Sequence, residues 1–297
     1  MNPPIRPLQR ILWRTLLLLT LTVSAAETPK LTLHARQRVL APHSTNEYQS
    51  AERIVQLDPK KSAIIICDMW DQHWCKGATA RVAEMAPRMN AVVLEARRRG
   101  VFVIHAPSST MNFYKDTPQR KKAQQAPRAN PPAKLNEWKA LNSAKEPPLP
   151  IDDSDGGCDD LPQCPGGSPW RREIATLEIG PDDAISDNGE EVYNLLQQFG
   201  IDNVIILGVH ANMCVLGRPF SIRQMVGLGK NVFLVRDLTD TMYNSRKSPH
   251  VSHFAGTDLV VEHIEKYWCP SITSADIVGG APFHFQANQR PTKSLKE

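Results

Sequence analysis

Apolar positions along this 297-residue chain follow two periods that take turns. Residues 61–70 (KSAIIICDMW) are an almost unbroken apolar run of strand length, the pattern of a strand covered on both faces. Residues 80–100 then space their apolar side chains helically and stop at Gly100. Strand follows at 101–107, helix at 189–200 with Gly200 as its stop, and strand at 203–208. Residues 214–229 read as a helix that must start late or bend at Pro219. A strand at 231–237 and a helix at 257–268 complete the series. This alternation predicts right-handed crossovers, a mostly parallel Rossmann-like sheet and helices on both faces, that is, a three-layer α/β/α sandwich.

One such domain spans 61–281, after an N-terminal extension at 27–60 and before a flexible tail at 282–297. It is interrupted at about 108–171 by a long polar insertion, of a length that either covers a site or stays unstructured. The acidic run within it, Asp152, Asp153, Asp155, Asp159 and Asp160, lacks the twelve-residue calcium-loop spacing and its closing Glu. It reads as a solvated loop.

The first 26 residues stand apart. Arg6, Arg10 and Arg14 precede the apolar stretch TLLLLTLTVSAA, and small residues offer cleavage near Ala25 or Ala26, so export as a periplasmic or extracellular protein is expected. Cleavage leaves 32 Lys and Arg of the original 35 against 31 Asp and Glu, so the net charge falls from +4 to +1. With no basic patch interleaved with aromatics, neither nucleic acid nor a stable membrane partner is implied. A small-molecule substrate is, and the fold permits a homo-oligomer. An exported chain with six cysteines raises the question of disulfides, and Cys158 and Cys164, in a Gly- and Pro-rich loop, are a candidate pair.

Open parallel sheets bind ligands beyond the carboxyl ends of their strands. Here those ends carry Asp68, with Trp70, Asp71, His73 and Trp74 after it, then His105, and the loop 208–213 leading to Cys214. Asp68 and Cys214 should converge. A helix N-terminus favours a thiolate, its N–H groups can hold an oxyanion, and a carboxylate with a raised pKa can move the proton. A buried inert thiol and a turn-forming Asp are the alternatives.

At these residues the sequence resembles the isochorismatase-like cysteine hydrolases, which include nicotinamidases and carbamoyl-amide hydrolases. IIICDMWDQHW resembles their first-strand motif and GVHANMCVLGRPF their nucleophile loop, in the same order on matching elements. The resemblance implies Cys214 as nucleophile, Asp68 as its acid–base partner, a cis peptide at Val209–His210, and oxyanion donors in the backbone N–H groups of His210 and Cys214. The family's lysine has no counterpart: Asp187 stands in its place, and no lysine occurs between Lys145 and Lys230. Lys115, Arg171 or Arg172 could supply the cation, and His73, His105 and His210 are nearer candidates. Trp70, Trp74, Phe113 and Tyr114 could wall a pocket for a flat or apolar substrate. Nicotinamidases carry Asp-x-His after the second strand. Here Asp71, His73 and His105 lack a ligand spacing, so neither metal nor cofactor is expected.

Three functions remain open at this level: an exported hydrolase cleaving a small amide through a thioester, an inactive relative that binds a ligand or partner, and a vinyl-ether hydrolase of the isochorismatase kind.

Overall fold

A computed structural model of the chain describes Met1 and residues 29–289, so the predicted signal peptide lies outside the described residues except for Met1. β3 (Ser62–Cys67) is buried at every position. Its side chains alternate between two cores, Ala63, Ile65 and Cys67 toward one and Ile64 and Ile66 toward the other. This explains the flat hydrophobic run. α1 (Lys76–Arg98) leads to β4 (Phe102–Ala106), followed by the short helices α2 (Met111–Tyr114) and α3 (Pro118–Gln124). The two-residue β5 (Ala184–Ile185) precedes α4 (Gly189–Gln198) and β6 (Asn203–Val209). α5 (Cys214–Gly217) and α6 (Ile222–Gly227) lead to β7 (Asn231–Asp240), and α7 (His253–Tyr267) to β8 (Ser271–Ile272) and α8 (Ala275–Val278).

Two further strands, β1 (Leu31–Leu40) and β2 (Tyr48–Leu57), form an antiparallel hairpin out of the expected N-terminal extension. The sheet order is β2-β1-β8-β7-β6-β3-β4-β5, parallel from β8 to β5 and antiparallel where β1 meets β2 and β8. α1 and α8 pack on one face, and α4, α5, α6 and α7 on the other, giving the predicted α/β/α layers. From β3 the chain runs outward through β4, then returns to β6 on the other flank. The topological switch point therefore lies between β3 and β6, where Cys67 pairs with Gly208. Gly208 is required there: at φ 111°, a Cβ would stand 2.0 Å from the Cys67 carbonyl oxygen.

Several expectations are corrected. The 214–229 helix is two helices. Arg218, held extended at ψ 154° ahead of Pro219, separates them. The start of the tail is packed: Phe285 is buried, and the Phe283 N–H donates to Asp237 Oδ2 at 2.8 Å; residues 290–297 lie outside the described residues. The insertion is irregular but firmly attached. Its Glu146 is buried and accepts from Arg223 Nε (2.6 Å) and Nη2 (3.0 Å) and from Trp268 Nε1 (2.8 Å), with His263 Nε2 also at 2.8 Å. The acidic run is bound rather than solvated, with Asp153 on Asn212, Asp155 on Asn244 and Asp159 on Arg81. Among the described residues no helix is long and apolar enough to cross a membrane.

Removing one member of a buried, hydrogen-bonded ion pair strands the other, which costs about 3 kcal/mol or more. Glu146→Ala is expected to lower the unfolding free energy measured in urea by that order and to expose the insertion to limited proteolysis ahead of the sheet.

Candidate active site

β3 ends where Asp68 turns the chain out of the strand at φ 49°, in the left-handed region that few side chains other than Asn and Asp tolerate. The turn aims its carboxylate into the protein, where it is fully buried. Oδ1 accepts the Ser108 N–H at 2.7 Å, and Oδ2 accepts Arg218 Nε at 3.1 Å. Arg218 stands four residues after Cys214, immediately beyond α5, and its N–H donates to the Cys214 carbonyl at 3.0 Å. Positions i and i+4 lie on one side of a helical turn, so Cys214 and Arg218 both face the end of β3. The buried Cys214 thiol lies close enough to Asp68 and Arg218 for both charges to act on it.

The charges in this group are shaped by burial. Burial raises the Asp68 pKa, against the opposing pull of Arg218 and of the Cys214 and Ser108 hydrogen bonds. Burial likewise pushes the Cys214 thiol well above its ordinary value, and the Asp68 charge adds to the effect while Arg218 opposes it. Arg218 is held charged: burial disfavours its cation, but the Asp68 carboxylate outweighs it. Burial thus opposes the thiolate that a helix N-terminus would favour. α5 is a single turn with little dipole, and burial raises the pKa of both the thiol and the carboxyl group. Such a pair can transfer its proton as the sulfur attacks, without storing a thiolate beforehand.

The Val209–His210 peptide is cis, as the resemblance implied. Among the described residues neither the His210 N–H nor the Cys214 N–H donates to a protein acceptor, whereas Met213 and Val215 both donate to the His210 carbonyl. Beside this loop Trp70 and Trp170 stack with centroids 4.3 Å apart, and His73 lies 5.8 Å from Trp170 and 5.0 Å from His210. Both imidazoles are neutral. Burial lowers His73 to about 4, with Arg81 adding, and lowers His210 to about 3, with His73 adding. Trp70 donates Nε1 to the Ser108 carbonyl at 3.0 Å and packs in the same core as Cys214.

His105 is not part of this site. Alternation along β4 sends Ile104 and Ala106 toward the core that holds Cys214, and His105 to the opposite face. There it lies between Glu173 Oε2 (2.6 Å) and Asp183 Oδ2 (3.1 Å). Asp71, His73 and His105 do not come together as a metal-ligating group among the described residues. Asp187 supplies no cation but accepts the Ser109 N–H at 2.8 Å and faces a cleft of about 380 Å³ with Glu137, Asn188, Glu190, Arg218 and Pro219. Arg218 joins that cleft to the thiol. The insertion closes over it, with Trp138 against Gly217 and its ring 5.8 Å from the Arg218 guanidinium.

Arg218 is a candidate site cation not anticipated from the sequence. Its signal lay within GVHANMCVLGRPF, as the Cys-x-x-x-Arg spacing that one helical turn brings together. Cys158 and Cys164 are likewise not linked; both thiols turn onto Asp160.

No protein-family model matches this sequence, and no curated protein matches it. Among solved structures the chain is similar to a cysteine hydrolase from Pseudomonas syringae pv. phaseolicola, at 16% identity and a TM-score of 0.46 over 75% of this chain and 92% of that one. It is similar to an isochorismatase from Pseudomonas putida at 12% identity and a TM-score of 0.45, over 74% and 91% of the two chains. For N-carbamoylsarcosine amidase from Thermoplasma acidophilum the values are 14% and 0.34, over 60% and 83%.

His105 carries a pH prediction. Burial alone would lower its pKa, but Glu173 and Asp183 outweigh burial and hold it at about 9, above the ordinary 6.5. A raised folded-state pKa contributes stability that is complete below the unfolded value and lost as pH rises through the folded one. The melting temperature is therefore expected to fall between pH 6.5 and about 9, and His105→Gln is expected to flatten that slope. An unchanged slope in the variant would assign it to another group.

Proposed function

We propose that this chain is a cysteine hydrolase that cleaves a small amide or a related carbonyl compound through a thioester intermediate. The observation that carries the proposal is the buried Asp68–Arg218 ion pair at the topological switch point, with the buried Cys214 at the start of α5 beside it. Cys214 Sγ attacks the carbonyl carbon while Asp68 takes the thiol proton. The N–H groups of His210 and Cys214, which have no protein acceptor among the described residues, receive the oxyanion. Asp68 returns the proton to the leaving nitrogen, the C–N bond breaks, and the acyl group remains on sulfur. Water then attacks the thioester, giving its proton to Asp68, which restores the thiol as the acid departs. Arg218 is a positioning residue: it orients Asp68 and offsets the negative charge that moves between carboxylate and sulfur.

The proposal includes export of the mature chain, supported by the three N-terminal arginines, the apolar stretch and the small residues at Ala25 and Ala26.

On a panel of small primary amides and N-carbamoyl amines, Cys214→Ala is expected to abolish turnover and the acyl adduct seen by intact-protein mass. Full turnover by that variant would refute the mechanism. Loss of acid–base catalysis in Asp68→Asn is expected to cost about a hundredfold or more in kcat/KM. The wild-type rate should climb with pH through a value above the ordinary carboxylate range, because Asp68 must be ionised to accept the proton and its pKa is raised. Arg218→Gln is expected to shift that limb, because the guanidinium opposes the rise in Asp68 pKa, and Arg218→Lys to restore it in part. A purely structural role for Arg218 would lower activity without moving the limb.

A further inference from the structure

At the N-terminus of α1 three thiols meet a single carboxylate oxygen. Cys75 Sγ lies 3.4 Å from Asp160 Oδ2, Cys158 Sγ 3.5 Å and Cys164 Sγ 3.2 Å. The same oxygen accepts the Gly77 N–H at 3.0 Å. Four donors on one carboxylate oxygen exceed its roughly two lone-pair positions, so hydrogen bonding alone cannot satisfy the arrangement. A cation at the same point can. The ligand atoms of Cys75, Cys158 and Asp160 already lie within 4.8 Å of one another, and Cys75 and Cys158 are fully buried. Trp74, Met213 and Met242 cover the cluster with apolar surface.

The surroundings suit sulfur ligands bearing negative charge. α1 is a 23-residue helix whose first N–H groups point into the cluster: Ala78 donates to Cys75 Sγ at 3.5 Å, and Gly77 to Asp160 Oδ2 at 3.0 Å. Arg81 pairs with the adjacent Asp159 at 2.9 Å, and the Arg246 guanidinium donates to the carbonyls of Asp159 and Asp160. The cluster is separate from Cys214, Asp68 and Arg218, and the inference does not depend on the proposed activity.

We propose that Cys75, Cys158, Cys164 and Asp160 bind a divalent metal ion of the zinc class in a closed, structural S₃O site. Three thiols lose their protons to solvent, three metal–sulfur bonds and one metal–oxygen bond form, and nothing is oxidised or reduced. Three thiolates, one carboxylate and the dication leave two negative charges, which the α1 N–H groups and the Arg246 guanidinium face, Arg81 being taken up by Asp159 and Asp240. The ion ties the insertion to the start of α1, next to the turn that follows Asp68.

The test is titration of the reduced, metal-stripped mature protein with Co²⁺, followed by displacement with Zn²⁺. Binding of a single cobalt per chain, with thiolate-to-cobalt charge-transfer absorption and a raised melting temperature, is expected. Asp160→Asn and Cys158→Ser should weaken binding at least about tenfold, and Cys214→Ser should leave it unchanged. Should Cys158→Ser fail to fold, Cys164→Ser, in the part-exposed loop, replaces it. The proposal is overturned by a disulfide among these three cysteines in peptide maps of the freshly isolated protein. It is equally overturned by the absence of charge-transfer absorption, or by absorption that survives Cys158→Ser and disappears in Cys214→Ser.

Discussion

The buried contact between Asp68 and Arg218 is the constraint around which the rest of this end of the molecule is arranged. A carboxylate withdrawn from water is costly unless paired and hydrogen-bonded, and Asp68 is both, through Arg218 and the Ser108 N–H. Each partner comes from a different strand end. Asp68 closes β3, Ser108 follows β4, and Arg218 follows the loop after β6. The pair can form only if the parallel register between β3 and its two neighbours is held, down to the glycine at 208 that lets the backbones approach. Sheet register and site chemistry are therefore one condition.

The insertion completes what the sheet begins. A strand-end site in an open sheet faces solvent, and here the segment after α3 covers it with Trp138 near Arg218 and Trp170 on Trp70. It does so with almost no regular structure. Its attachment rests instead on polar anchors, of which Glu146, with Arg223, His263 and Trp268 around it, is the most deeply buried. Lining the cleft with polar groups from this segment leaves the apolar core behind α5 and α6 free for packing.

Much of this was legible from residue order. A flat apolar run such as SAIIIC, of strand length and rich in isoleucine, fits a strand covered twice, and the strand-end rule then brings Asp68 and Cys214 to one edge. The site cation was harder to see: Asp187 stands where the resemblance implies a lysine, the residues weighed in its place were Lys115, Arg171, Arg172, His73, His105 and His210, and the fold takes it from one turn beyond Cys214. His105 misled for the opposite reason. It sits at a strand end, but the two-residue period of β4 turns it to the other face. The gathering of Cys75 with Cys158 and Cys164 could not be read from spacing, since it joins a helix cap to a distant irregular loop. Irregular segments carry no period, and their contacts are set by individual anchors.

A guanidinium has consequences that an amine would not. A lysine facing buried thiol and carboxylate groups can give up its proton and become a third titrating member of the set, whereas arginine stays cationic throughout the range in which proteins remain folded. Only sulfur and carboxylate can exchange a proton here, and the planar fork of Arg218 fixes the direction from which Asp68 is neutralised. The acid–base cycle proposed for this pocket would therefore count two states of one shared proton, beneath a charge that never switches off.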